Sequence, residues 1–271
     1  MDEKQLNEGL RPTDHTWEFV RDTISLRNID KNAGVISLFV ASQVTRQMIE
    51  KMPRLKLIAT RSTGYDHIDL ETATARGITV VNVPTYGENT VAEAAFSLIL
   101  ALTRKLIPTV STTRKGTFVA SDLTGVDLKG RTLGVIGMGH IGRHAAHIAK
   151  GFEMNVIAYD VHEDADFART MGIEYVSFND LLARSDIITL HTPLLPDNYH
   201  LINASTIKQM KKGAFLVNTA RGELVENRAL INGVKSGHLA GAGLDTIEGE
   251  KLILQKEMIS AIGSNGTRQT T

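Results

Sequence analysis

The stretch that decides the fold is Thr132-Leu-Gly-Val-Ile-Gly137-Met-Gly139-His-Ile-Gly142, with Asp160 eighteen residues further on (160 − 142). Three glycines in six positions are weak evidence alone, because such spacing arises by chance. Context gives them meaning. An apolar run, Thr132–Ile136, leads straight in, and a stretch of helical spacing, residues 141–152, leads straight out. In a strand–turn–helix of this kind Gly137 permits the tight turn, Gly139 lets a pyrophosphate approach the backbone, and Gly142 lets helix and strand pack closely. The helix N-terminus adds free N–H groups and the positive end of its dipole. A carboxylate at Asp160, where the next strand ends, accepts ribose hydroxyls and repels a 2′-phosphate, so the cofactor read here is NAD rather than NADP. His162 nearby would hold such a phosphate less well than arginine.

Outward from this motif, strands alternate with helices. Runs rich in β-branched residues fall at 35–40, 57–60, 78–83, 132–136, 155–159, 187–191, 215–219 and 240–244. Helical spacing falls between them at 45–51, 70–75, 141–152 and 227–236. This alternation predicts an α/β fold of parallel sheets covered on both faces. A loop with Pro84 and Gly87 marks a boundary, after which Asn89 is placed to cap a long helix reaching about Arg104. The expected organisation is an α/β domain over 1–88, a connecting helix over 89–106 and a second α/β domain over 107–250, with 251–271 a polar, divergent tail. Residues 111–130 read as a polar stretch leading into a fresh strand.

Composition narrows the function classes. The 271 residues carry 30 basic and 30 acidic side chains, a balance that gives no reason to expect nucleic acid or an anionic membrane as partner. Without cysteine, disulfides and thiolate metal sites are excluded, and a reducing cytoplasm fits. The polar, acidic start is unlike a signal peptide, and no apolar run approaches the ~20 residues needed to span a bilayer. No metal site is expected.

Several further segments resemble the D-2-hydroxyacid dehydrogenases, most closely their D-lactate dehydrogenase branch: Thr60-Arg-Ser-Thr-Gly-Tyr-Asp-His-Ile-Asp69, Asn82-Val-Pro-Thr-Tyr-Gly-Glu-Asn-Thr-Val-Ala-Glu93, residues 186–198, Asn218-Thr-Ala-Arg-Gly222 and Gly241-Ala-Gly-Leu-Asp-Thr246. The resemblance covers most of residues 17–250. It implies two Rossmann-like or flavodoxin-like domains with a cleft between them, the first binding substrate and the second NAD, in a homodimer. Arg221 matches the arginine that clamps the substrate carboxylate and 2-oxo group, a task suited to a planar guanidinium. Glu250 matches the glutamate that pairs with the catalytic histidine, although Lys251 stands where the family usually has proline, and Glu248 is a near neighbour. Thr63 and Gly64 match the loop whose N–H groups hold the substrate carboxylate. Tyr86 either lines the substrate side or packs at the domain junction. His140, Ile141, Thr192, Pro193, Asn198, Thr219, Ala220, Arg221 and Asp245 match cofactor-contacting positions, His140 through its backbone.

One expected residue has no match. Reduction of a 2-oxo acid needs a proton donor, and in the family a histidine in a Pro-His pair follows the glutamate. This sequence has no histidine after His238. Residues 2–10 read as the remnant of a first helix and 17–22 as the strand after it, with the family's opening strand unmatched. The expectation is a chain truncated at both ends. Three functions stay open: a dehydrogenase of pyruvate-like 2-oxo acids impaired in turnover, a non-catalytic NAD-binding sensor or interaction protein, and an inactive fragment.

Overall fold

The computed structural model describes residues 16–20, 22–117 and 123–250. The expectations for residues 2–10 and for the tail 251–271 lie outside them. Contacts divide the chain into two units, Met1–Gly87 and Glu88–Thr271.

In the first unit, Val35–Leu38 (β1), Leu57–Thr60 (β2) and Thr79–Val81 (β3) pair in parallel in the order β1-β2-β3. Two helices, Arg46–Glu50 (α1) and Leu70–Ala75 (α2), add Ile49 and Ala73 to its core, and the connecting segments add Val44, Met52, Leu55, Ile68 and Ile78. Asp69 starts α2 by accepting the Thr72 N–H at 2.9 Å, the expected N-cap chemistry. The strands alternate: Ile36, Leu38, Ile58 and Thr60 are buried, while on the other face Val35 and Val81 are 48% and 44% exposed. The expectation of two covered faces therefore fails for this sheet among the described residues, where only alternate side chains reach the core. The strand expected over 17–22 is also absent among them. Residues 16–20 have no regular structure and Asp22 is a bend. Backbone extends as a strand only where a ladder partner takes its polar groups, and here Ile24 N–H instead donates to Ser42 Oγ at 3.1 Å.

The second unit opens with Glu88–Thr103 (α3). Asn89 lies inside this helix, not at its cap, because its side chain donates to Glu93 one turn on, at 2.6 Å. A second helix, Leu106–Arg114 (α4), begins where the connecting helix was expected to end and runs into the polar stretch 111–130. Its residues are poor helix formers, but Pro108 falls in the first turn, where its missing N–H costs nothing. Thr109, Thr112 and Thr113 donate back to the carbonyls of Lys105, Pro108 and Thr109 at 2.8–2.9 Å.

Six parallel strands follow: Thr132–Ile136 (β4), Asn155–Tyr159 (β5), Glu174–Tyr175 (β6), Ile187–Leu190 (β7), Ala214–Asn218 (β8) and Leu239–Leu244 (β9). Between them run His140–Gly151 (α5), Ala165–Met171 (α6), Phe178–Arg184 (α7), Ala204–Gln209 (α8) and Asn227–Lys235 (α9). The sheet order is β6-β5-β4-β7-β8-β9, with Gly134 opposite Ile157 on one side and Leu133 opposite Ile187 on the other. Here both faces are covered. Leu133, Val135 and Val156 join α3 and α5 in one core, and Ile136, Ile188 and Leu216 join α7, α8 and α9 in another. The chain reverses its direction of winding between β4 and β7. Open α/β sheets bind ligands at such a point, outside the carboxyl ends of the strands.

Candidate active site

The turn after β4 is built by its glycines. Gly137 has φ +92°, and its N–H donates to Tyr159 O at 2.9 Å, fixing the turn against β5. A side chain there would meet the backbone of His191 and Thr192 at 2.7 Å. A methyl on Gly142 would collide with the Gly137 carbonyl oxygen, so the third glycine lets α5 seat on the turn. Gly139 is different. It is the extended N-cap of α5, no side chain caps it, and a Cβ would meet nothing within 4 Å. The turn therefore leaves open space in front of the first helical N–H groups, those of His140, Ile141 and Gly142, which have no carbonyl one turn back. The His140 ring points away, exposed, with Nδ1 3.7 Å from Glu88. Asp160 closes the turn: Oδ2 accepts the Met138 N–H at 2.6 Å and Oδ1 the His162 N–H at 2.9 Å. A carboxylate has about four acceptor sites, so these two bonds leave room for ribose hydroxyls.

The same edge continues at β7, β8 and β9. Four buried side-chain polar atoms of the described residues have no hydrogen-bond partner: His191 Nδ1, Thr219 Oγ1, Thr246 Oγ1 and Arg61 Nε. Each lies one or two residues past the carboxyl end of a strand, β7, β8, β9 and β2 respectively. Unsatisfied buried polar atoms cost about 1–3 kcal/mol each, so in each unit their position at strand ends marks where external partners are expected. His191 Nε2 lies 3.0 Å from Thr189 Oγ1, and burial lowers the His191 pKa to about 4, keeping the ring neutral. Thr192 and Pro193 follow it. Asn198 ties this loop, accepting from Leu195 N–H at 2.7 Å and donating to Pro193 O at 2.8 Å.

Asn218, fully buried at the end of β8, shapes the loop of Arg221. It accepts the Ala220 N–H at 3.0 Å and donates to Arg221 O at 2.8 Å. Arg221 Nη1 donates to Ala220 O at 2.8 Å. Gly222 then sits so close to the Ile247 and Glu248 backbone that any Cβ would collide with it. The loops after β8 and β9 are thereby locked together. Asp245 is exposed, its N–H bonded to Asn218 O at 3.0 Å. Glu250 folds back on its own loop, where Oε2 accepts the Ile247 N–H at 3.3 Å. Its neighbour Glu248 is the engaged acid, accepting from Tyr199 Oη at 2.9 Å and His200 Nε2 at 2.7 Å. The His200 hydrogen bond, followed by that of Tyr199, holds Glu248 below the usual carboxylate range.

In the first unit, Thr63 and Gly64 form a loop past β2. Its carbonyls are all engaged: Ser62 O accepts Val83 N–H at 3.1 Å, Thr63 O accepts Asn82 Nδ2 at 2.8 Å and Gly64 O accepts Ser62 Oγ at 2.6 Å. No acceptor among the described residues takes the Thr63 or Gly64 N–H. Bound carbonyls beside N–H groups that no described acceptor takes give this edge the chemistry an anion needs. Tyr86, in the loop past β3, is 58% exposed. Among the described residues no group of three or more acidic or histidine side chains could hold a metal ion. None of their helices is long and apolar enough to cross a membrane.

Residues 96–262 match the family described as D-isomer specific 2-hydroxyacid dehydrogenase, NAD binding domain. This chain belongs to the D-2-hydroxyacid dehydrogenases. It is similar to a 2-hydroxyacid dehydrogenase homolog of Zymomonas mobilis, 38% identical over 241 residues, covering 87% of this chain and 73% of that one. It is also 42% identical over 227 residues to a glyoxylate reductase of Thermococcus litoralis, covering 81% and 69%. Among solved structures, the D-lactate dehydrogenase of Aquifex aeolicus complexed with NAD and lactic acid superposes with a TM-score of 0.82 at 37% identity, covering 91% of this chain and 73% of that one. NAD is the family's cofactor, and the open glycine turn, its uncapped helix and Asp160 fit it. In this dehydrogenase, Asn218 as the organiser of the arginine loop and Arg61 and Thr246 as unsatisfied polar groups do not stand out in the sequence. The available signal was position: each sits at a strand's carboxyl end.

Proposed function

We propose that this dehydrogenase reduces a small, pyruvate-like 2-oxo acid to its D-2-hydroxy acid. The observation that carries the substrate class is the Thr63–Gly64 loop, whose carbonyls are bound and whose N–H groups have no acceptor among the described residues. Such an edge suits a carboxylate. Arg221 would bond the carboxylate and 2-oxo oxygens, polarising the carbonyl as charge develops on it. Tyr86 would line the substrate side.

The reduced nicotinamide supplies the hydride when bound. Gly137 would shape the turn, Gly139, His140, Ile141 and Gly142 would hold the pyrophosphate through backbone N–H groups, and Asp160 would hold the ribose. Thr192, Pro193, Asn198, Thr219, Ala220, Arg221 and Asp245 would contact the remainder. Glu250 is suited to raising the proton affinity of a histidine that acts as general acid. A second reading, an NAD(H) sensor without turnover, is disfavoured because a sensor has no need of Arg221 or of a carboxylate loop. Exposed Leu106, Ile107 and Val110 on α4 support a homodimer, and the cysteine-free composition suits the cytoplasm.

Calorimetry with oxamate, a non-reducible pyruvate mimic, on the NADH-saturated protein tests the proposal. Binding of oxamate supports a 2-oxo acid substrate. A protein that binds NADH and ignores both oxamate and pyruvate would be the sensor instead.

A further inference from the structure

Beneath the Thr63–Gly64 loop runs a buried polar chain that no catalytic role accounts for. Thr60, Ser62 and His67 are each less than a tenth exposed. Thr60 Oγ1 lies 2.6 Å from Ser62 Oγ and 3.1 Å from His67 Nε2, and Ser62 Oγ lies 2.6 Å from Gly64 O. The direction of the protons follows from chemistry. A carbonyl only accepts, so the single Ser62 hydroxyl proton goes to Gly64 O. Ser62 Oγ must then accept from Thr60. Thr60, its proton committed, accepts from His67, whose Nε2 therefore carries hydrogen. The chain runs one way, from His67 through Thr60 and Ser62 to Gly64.

Its consequence lies one residue further along. Every peptide of the described residues is trans, so each N–H points opposite the carbonyl of the residue before it. Anchoring Ser62 O on Val83 aims the Thr63 N–H outward, and anchoring Thr63 O on Asn82 aims that of Gly64. By the same geometry, anchoring Gly64 O on Ser62 aims the Tyr65 N–H, which no described acceptor takes. We propose that the Tyr65 N–H is a third donor to the substrate carboxylate and that His67, Thr60 and Ser62 are positioning residues that aim it. Three consecutive N–H groups on one short loop, none taken by a described acceptor, offer a carboxylate one donor beyond those of Thr63 and Gly64. The inference rests on the reading of this loop as the carboxylate site.

The experiment is a titration of the NADH-bound, ¹⁵N-labelled protein with oxamate, following backbone amides, on the wild type and on S62A, T60V, H67L and H67Q. In the wild type the Thr63, Gly64 and Tyr65 amides shift together with one dissociation constant. S62A, T60V and H67L each weaken oxamate about tenfold, as expected for one misaimed bond to a charged group, and the Tyr65 shift shrinks more than the Thr63 shift. H67Q retains an N–H donor and stays within about threefold of wild type, which a merely space-filling histidine would not predict. The NADH affinity of all four is unchanged. A wild-type Tyr65 amide that stays still while Thr63 and Gly64 move overturns the third donor. Wild-type oxamate affinity in S62A and H67L overturns the positioning chain. Three silent amides would remove the carboxylate reading itself, and the inference with it. Should one variant fail to fold, the others and the wild-type Tyr65 response still decide.

Discussion

Gly139→Ala separates a glycine kept for a ligand from a glycine kept for the fold. Gly139 has φ −71° and ψ −163°, a conformation alanine adopts freely, and a Cβ there meets nothing within 4 Å. Two small terms oppose each other. An N-cap alanine is worse than glycine by up to about 1 kcal/mol, and removing glycine from the unfolded chain returns about 0.4–1 kcal/mol. The net is near zero, so the ligand-free melting temperature stays within about 3 °C of wild type. The methyl, however, fills the space in front of the α5 N-terminus that a pyrophosphate needs, and NADH affinity falls at least tenfold, about 1.4 kcal/mol. Gly142→Ala is the contrast. Alanine would gain about 1 kcal/mol of helix propensity, but its Cβ collides with Gly137 O, and overpacking of this kind costs about 1–3 kcal/mol. It is expected to melt several degrees lower even without cofactor. Thermal melts and NADH fluorescence titrations of the two variants provide the comparison. A Gly139→Ala protein that binds NADH normally, or that melts more than about 6 °C low, refutes the assignment of that space to a phosphate.

Arg221→Gln removes the fork proposed to clamp the substrate, so oxamate affinity should drop at least tenfold at unchanged NADH affinity; equal oxamate binding by calorimetry would exclude the clamp. Asp160→Ser loses the carboxylate that repels a 2′-phosphate and caps Met138, so the ratio of NADPH to NADH affinity should rise about tenfold or more in parallel fluorescence titrations. His191 offers a pH test. Its folded pKa, about 4, lies below the unfolded value near 6.5. The unfolded state therefore binds the proton first, and stability that is complete above pH 6.5 falls by roughly 3 kcal/mol as pH drops through 4. His191→Gln should flatten that part of a melting temperature–pH profile, and an unchanged slope would show the ring to be solvated. Glu248 acts in the same direction lower down: His200 and Tyr199 depress its pKa, so its contribution, present above the usual carboxylate range, is lost as pH falls below it, and Glu248→Gln should remove that step.

Much of the nucleotide-binding unit was legible because parallel strands buried on both faces leave a continuous apolar run in the sequence, as in Ile187–Leu190, all four of whose residues are buried. The glycine turn was legible because each of its glycines answers a different steric demand. The two-residue strand β6 and helix α4 were not. The first is too short to show a period, and the second is rich in threonines, which propensity argues against and whose hydroxyls bond back to carbonyls of their own helix. At the site, Arg221 could be found from its residue type, whereas Asn218 could not, since its role is to bond the turn that presents the arginine. The buried chain under Gly64 was invisible for a related reason. Thr60, Ser62 and His67 are unremarkable in order, and only the fold brings His67 back to Thr60.

Whether residues 132–160 enclose an adenine dinucleotide is decided by titrating the protein with NADH and NADPH while following nicotinamide fluorescence. Saturable NADH binding in the micromolar range, at least tenfold tighter than NADPH, is the predicted result. Folded protein that takes up no NADH at millimolar concentration would contradict it.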